Sequence, residues 1–279
     1  MVELEKGIYE DLLALADRFA PRLRRAFLDA IAQLRDNLPE QPSGSAIWQR
    51  LQELLMPLVQ RVVEALAIGA GARAIEQFPE SVRVQLQFDL TNPFAVEAID
   101  GVVTDAVREI ANASQEAVQL VLREGFRDGL TPQEMARRLR GSLGLTQRYA
   151  QAVDTYRQGL LDQGVSVSRA GELADAYARR LLSLRATTIA RTESIRAANA
   201  GQQAAWETAV NQKLLDPQAR RFWVVTDDDR LCPICEAIPD LNPDGVALTQ
   251  PFRSAVGELD YPPAHVMCRC AITIHTEAV

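Results

Sequence analysis

Five side chains able to ligate a metal stand near the end of this 279-residue chain. Cys232 and Cys235 are separated by Pro233 and Ile234, and three more candidates follow in the run His265-Val266-Met267-Cys268-Arg269-Cys270. Two thiolates two residues apart converge on one ion across a tight turn, and tetrahedral zinc then needs a second pair from elsewhere in the chain. His265 and Cys268 repeat the spacing of Cys232 and Cys235, which favours those four. A set with Cys270 in place of His265 meets the same count, so both stay open. Left out of the set, Cys270 would share the inward face of a closing strand with Ile272 and Ile274. Four protein ligands leave no open coordination position, so the expectation is one structural zinc per chain, stabilising a segment with few core residues.

The ordinary alternative is a set of free buried thiols or two disulfides. All four cysteines lie at Cys232 or beyond, whereas a disulfide framework is normally spread through a small secreted domain, so the clustering points to metal. Catalytic arrangements fit less well. A zinc deaminase places His-x-Glu before Pro-Cys-x-x-Cys, but here His275-Thr276-Glu277 comes after the cysteines. An HNH-like nuclease would join His265 to carboxylates such as Asp227 to Asp229, yet it needs a second well-placed histidine, and His275 is the one other in the chain. Three consecutive aspartates more often form a polar turn. No catalytic or cofactor-binding residue is assigned, and the expectation is a protein that is not an enzyme.

The elements that must position these residues are mostly helical. Apolar residues make up 47% of the chain but aromatics 6%, and a surplus of Ala, Leu, Arg, Gln and Glu favours helix because those side chains lose little rotamer freedom there. Leu12, Leu15, Ala16, Phe19, Leu23, Phe27, Ile31 and Leu34 mark one stripe of a first long helix. Pro39, Pro42 and Gly44 break it between Leu38 and Ser45. A second helix follows through Leu51, Leu55, Val59, Val62 and Leu66. Gly69-Ala70-Gly71 lacks the strand and third glycine of a phosphate loop and reads as a loosened helix end. Val82, Val84, Leu86, Phe88 and Leu90 alternate with polar residues, which predicts an isolated strand.

Helix resumes after Asn92-Pro93. Thr131-Pro132-Gln133-Glu134 spells a capping box, Thr146 can cap the next helix, and a last long helix runs from about Ser168 to Val210. Arg179, Arg180, Arg185, Arg191 and Arg196 read as its solvated or ion-paired face. From Asp216 prolines crowd in, Phe222 to Thr226 reads as a strand, and Ala271 to Ile274 as the closing strand. The fold expected is mainly α: long helices with an isolated strand, plus a small C-terminal zinc-binding module with short strands. Its divisions are an N-terminal helical region, 1–90, whose wide apolar stripes are expected to seek a partner protein, a second helical part, 91–215, and the Cys/His module, 216–279, with a core of its own.

The net charge of −7 argues against bulk attraction to nucleic acid. The acidic start, Met1-Val2-Glu3-Leu4-Glu5, lacks the order of a signal peptide, and no run is expected to reach a membrane span. The chain is therefore expected to fold in a cytoplasm.

Several motifs occur in a fixed order: Ala190-Arg191-Thr192-Glu193, Arg196-Ala197-Ala198-Asn199-Ala200-Gly201, Trp206, Trp223, Asp229-Arg230-Leu231-Cys232-Pro233-Ile234-Cys235, and Pro262-Pro263-Ala264-His265-Val266-Met267-Cys268-Arg269-Cys270. In this order the chain resembles the phage Mu F-like head morphogenesis family, the minor head proteins of tailed bacteriophages, over roughly residues 93 to 275. The resemblance implies a non-enzymatic minor capsid protein of the virion, assembled into the phage head in the host cytoplasm. Its partners would be the portal protein and other head proteins, with packaged DNA nearby and no membrane. The competing class is a metal-dependent nuclease or toxin-like enzyme. Arg191 and Glu193, two apart on a helix, point in different directions, so each is expected to pair outside its own turn, and the expectation is that the two dock this helix on the zinc module with Asn199 and Trp206 in the same contact.

Overall fold

The computed structural model describes residues 2–37, 44–226 and 228–275. The expected break between the first two helices falls largely on residues 38–43, outside the described residues. Long helices dominate: α1 (Val2–Asp36), α2 (Gly44–Glu76), α4 (Pro93–Arg127) and α7 (Val167–Asn211). Between them lie a single turn, α3 (Glu80–Arg83), and two shorter helices, α5 (Pro132–Ser142) and α6 (Gln147–Asp162). After α7 come β1 (Arg220–Val224), α8 (Pro233–Leu241), β2 (Val246–Ala247), β3 (Phe252–Ser254), β4 (Gly257–Leu259) and β5 (Ala271–His275).

Local chemistry explains three of the helix starts. Thr131 accepts from the Glu134 amide while the Glu134 carboxylate accepts from the Thr131 N–H, so the capping box forms with Pro132 in the first turn. Thr146 caps α6 by accepting from the Tyr149 amide. Asn92 caps α4, its side-chain oxygen accepting from the amides of Phe94 and Ala95.

The chain forms two compact units. One comprises Met1–Leu23, Gln60–Val103 and Thr188–Val279; the other comprises Arg24–Val59 and Thr104–Thr187. The divisions read from composition, at residues 90 and 215, follow neither unit. In the second unit Arg185 departs from the solvated face expected of the arginine run. It is buried, and its guanidinium donates to the carbonyls of Ile110 and Gly144 and to the Ser114 hydroxyl. Burial lowers its pKa to about 10, which still leaves it charged at neutral pH.

In the first unit the stripe of α1 is buried at Leu12, Leu15, Ala16 and Phe19, and α2 buries Val63, Leu66, Ala67, Ala70 and Ala74. Ile47–Glu76 is, contrary to the sequence reading, long and apolar enough to cross a membrane by length and composition. Its buried residues recur at helical spacing, as in the core helix of a globular protein. Gly71 lies within α2 rather than at a loosened end, and the Phe88 ring occupies the space where a Cβ would be, 2.1 Å from it. Gly201 of α7 meets the backbone of Ala67 just as closely: a Cβ there would be 2.1 Å from the Ala67 carbonyl oxygen. Two helices can approach at this point because a glycine is present.

The strand expected at Val82 to Leu90 does not form. Pro79 leads into α3, a turn and irregular chain follow, and no strand pairs with the segment among the described residues. Val82, Leu86 and Phe88 are buried, whereas Val84 and Leu90 are 74% and 54% exposed. The apolar side chains that alternate in sequence thus do not share a face: three insert into the helical core, and two face solvent.

β1 is the centre of a three-stranded antiparallel sheet in the order β2-β1-β5, with Phe222 opposite Thr273 and Trp223 opposite Ile272. β3 and β4 form a separate hairpin. The core expected to belong to this module alone also includes Ala74, Phe78, Val82, Leu86, Phe88, Ala95, Ala204, Trp206 and Leu215. The module is therefore packed as one body with the end of α2, the 78–95 segment and the last turns of α7. The reason is size: five short strands and one short helix offer too little apolar surface to close a core alone.

Candidate metal centre

Cys232 ends the turn that follows β1, and α8 starts at the next residue. Pro233 suits the first helical position because it lacks the amide that would go unpaired there, and Cys232 is the N-cap, its sulfur accepting from the Cys235 amide at 3.4 Å. The helix start thus aims an N–H at the Cys232 sulfur. Composition gives no hint of α8, since Pro233 and Pro239 mask its short helical period, but its cap and first proline follow the ordinary rules for a helix start.

His265 faces this pair. Its Nε2 lies 3.0 Å from the Cys232 sulfur and 3.1 Å from the Cys235 sulfur, and its Nδ1 is 2.8 Å from the Val266 carbonyl oxygen. A carbonyl can only accept, so Nδ1 carries the proton and Nε2 presents a lone pair toward the sulfurs. The Cys268 amide donates to the His265 carbonyl at 3.1 Å and closes the second turn. The Cys268 sulfur accepts from the Cys270 amide at 3.5 Å and lies 3.7 Å from the Cys235 sulfur. Sulfurs bound to one tetrahedral zinc at about 2.3 Å are about 3.8 Å apart, so this spacing matches that edge.

The structure brings all five candidate residues together, in two groups that share Cys235: Cys232, Cys235 and His265, and Cys235, Cys268 and Cys270. Each group lies within 4.8 Å, and none of the cysteines is in a disulfide. Cys235, Cys268 and Cys270 are buried, Cys232 and His265 partly so. Hydrogen bonding from Cys235 and Cys270 holds the Cys268 thiol down, while the bond to Cys268 pushes the Cys235 thiol up. Crowded sulfurs in a buried site cannot all ionise unless a cation joins them. The donor set, the spacing and the amides aimed at Cys232 and Cys268 therefore fit a bound metal ion.

Neighbouring residues hold the two ligand turns. Arg269 makes two 2.6 Å hydrogen bonds to the Asp228 carboxylate, tying the turn after β1 to the chain between Cys268 and Cys270. These bonds hold Asp228 well below the ordinary carboxylate range, at about 2. From α7, Thr192 accepts from the Met267 amide at 3.0 Å, Asn199 accepts from the Ile272 amide, and Gln202 donates to the Ile272 carbonyl. Gln203 donates to the Leu248 carbonyl and accepts from Arg221, which also donates to the carbonyls of Gln250 and Asp260. The expected docking of this helix on the module is thus made through Thr192, Asn199, Gln202 and Gln203, with Trp206 fully buried in the shared core. Arg191 is exposed, and Glu193 pairs with Arg196 at 3.4 Å. Sequence reasoning misses the roles of Thr192, Gln202 and Gln203. Polar residues recurring on one face of an otherwise apolar helix are the available signal.

A family model described as phage Mu protein F-like protein matches residues 116–273, more than half of the chain. The chain belongs to the phage Mu protein F-like family. The matched segment contains every metal-ligand candidate and every α7 residue that grips the module. No curated protein and no solved structure matches the chain. In this Mu F-like chain Asp227, Thr276 and Glu277, which belong to the nuclease-like and deaminase-like patterns of the sequence, lie outside the described residues.

Proposed function

We propose that this Mu F-like chain is a minor head protein of a tailed bacteriophage, a structural component of the virion that acts in head assembly by binding the portal and other head proteins. The observation that carries the reading is the family match over residues 116–273. The site supports a structural use of the metal. Cys232, Cys235, His265 and Cys268 supply four ligands, which fill a tetrahedral shell, and a zinc ion so held stabilises the module rather than polarising a substrate. Cys270 is left to pack in the shared core beside Ile272 and to donate its amide to the Cys268 sulfur.

A nuclease or toxin-like enzyme would need a carboxylate and an open position beside His265. Among the described residues the groups able to hold a metal consist of cysteine and histidine, with no carboxylate joining them. Of the aspartates in the nuclease-like pattern, Asp228 is engaged by Arg269. The apolar stripes of α1 and α2, which on sequence grounds invite a partner, are covered within the chain, so the binding surface for other head proteins is not these stripes.

Quantitative mass spectrometry of purified virions against isolated portal complexes tests the proposal. The chain is expected in both, in a fixed small ratio to portal. Its presence in infected cells together with its absence from both preparations contradicts the reading.

A further inference from the structure

Met267, inside the His265-x-x-Cys268 turn, has a backbone φ of +64°. This left-handed conformation is disfavoured for a residue with a Cβ and persists only where its surroundings impose it. The turn is closed by the bond from the Cys268 amide to the His265 carbonyl, and the Met267 amide itself is held by a buried hydroxyl. The Thr192 Oγ accepts from the Met267 amide at 3.0 Å, and its own proton goes to the Thr188 carbonyl one turn back at 2.9 Å. The second bond fixes the hydroxyl's rotation, so its free lone pair is presented to the turn. Thr192 is 6% exposed, and the amide it receives lies one residue from Cys268 and two from His265.

We infer that Thr192 is a positioning residue for the metal: through the Met267 amide it holds the turn in the left-handed form that brings His265 and Cys268 to the same ion. This rests on the reading of the Cys/His cluster as a metal site. It also gives the middle residue of Arg191-Thr192-Glu193 a task. A hydroxyl is required, and its methyl group is not, so serine can replace threonine whereas the isosteric valine cannot. Glycine adopts positive φ without strain, so Met267→Gly makes the turn less dependent on Thr192.

The test is a competition titration of the full-length purified chain, stripped of metal, with zinc against a chromophoric chelator. Thr192→Val is expected to weaken zinc binding by about 10-fold, the lower end of the loss seen when a residue supporting a ligand is removed. Thr192→Ser is expected to bind within about 2-fold of the parent. In the Met267→Gly background, adding Thr192→Val should cost less than about 3-fold. Helical circular dichroism is recorded for every variant. If Thr192→Val loses its helical signal, Met267→Gly alone decides: binding equal to or tighter than the parent supports the inference, and a loss of about 10-fold overturns it. Unchanged zinc binding in a folded Thr192→Val protein also overturns it. A parent protein that binds no zinc overturns the metal site itself, a result distinct from either.

Discussion

At the residue scale the ligand turns have different supports. Cys232 and Cys268 each accept a backbone amide, Cys235 lies between the two donor groups, and Cys270 completes the buried end of the cluster. Cys235→Ser and Cys268→Ser should each abolish stoichiometric metal binding, whereas Cys270→Ser should retain it, as read by elemental analysis of the purified variants. Loss of metal in Cys270→Ser with retention in a folded His265→Ala protein would reverse the assignment. The pair of Asp228 and Arg269 makes a prediction with a definite pH sign. A carboxylate whose pKa falls from the ordinary 3.8 to about 2 on folding contributes stability that is present above about pH 4 and is lost as pH falls through about 2. Asp228→Asn should therefore lower the melting temperature of the chain at neutral pH, and the difference from the parent should vanish by about pH 2. A difference that persists unchanged at that pH would show that the side chain acts through packing instead.

At the element scale the decisive feature is the contact of α7 with α2. Gly201→Ala must push a methyl group into the Ala67 carbonyl, which lies on a helix backbone that cannot yield as a side chain could. A loss of about 1–3 kcal/mol in unfolding free energy is expected, measured by urea denaturation. A change within about 0.5 kcal/mol would mean that the helices separate at no cost. The helices themselves are legible in the sequence because the capping box at Thr131, the cap at Thr146 and the apolar stripe from Leu12 to Leu34 are local signals. The segment from Val82 to Leu90 reads falsely as a strand because alternation reports burial only where a neighbouring strand pairs with it. Here Phe88 packs over Gly71 while Val84 and Leu90 face solvent. That packing is a tertiary fact, and so is the short helix after Cys232, whose amphipathic period is hidden by Pro233 and Pro239. The metal residues are legible from spacing, but the polar grip of Thr192, Asn199, Gln202 and Gln203 on backbone groups of the module depends on a packing that no local pattern encodes.

At the scale of the whole molecule, the Cys/His module shares its core with residues as early as Ala74 and Phe78. Metal and helices are consequently coupled. Cys232→Ser should destabilise the compact unit as a whole and lower helical signal along with the tertiary signal of Trp206 and Trp223, rather than melting only the chain beyond Asp216. Binding of a structural zinc is worth on the order of 10 kcal/mol in small modules, so its removal should cost more than a single packing defect such as Gly201→Ala. The same coupling would give the fold a use for a metal: an ion held by the two ligand turns, one of which α7 grips through Thr192, would fix the end of a long helix against the sheet. The measurement that tests this most directly is the metal content of the native purified chain, by elemental analysis with thiols counted in parallel. One zinc per chain, with the thiols reduced and becoming reactive when a chelator removes it, is the predicted result. Less than about half an equivalent of zinc, with the four cysteines oxidised, would contradict it.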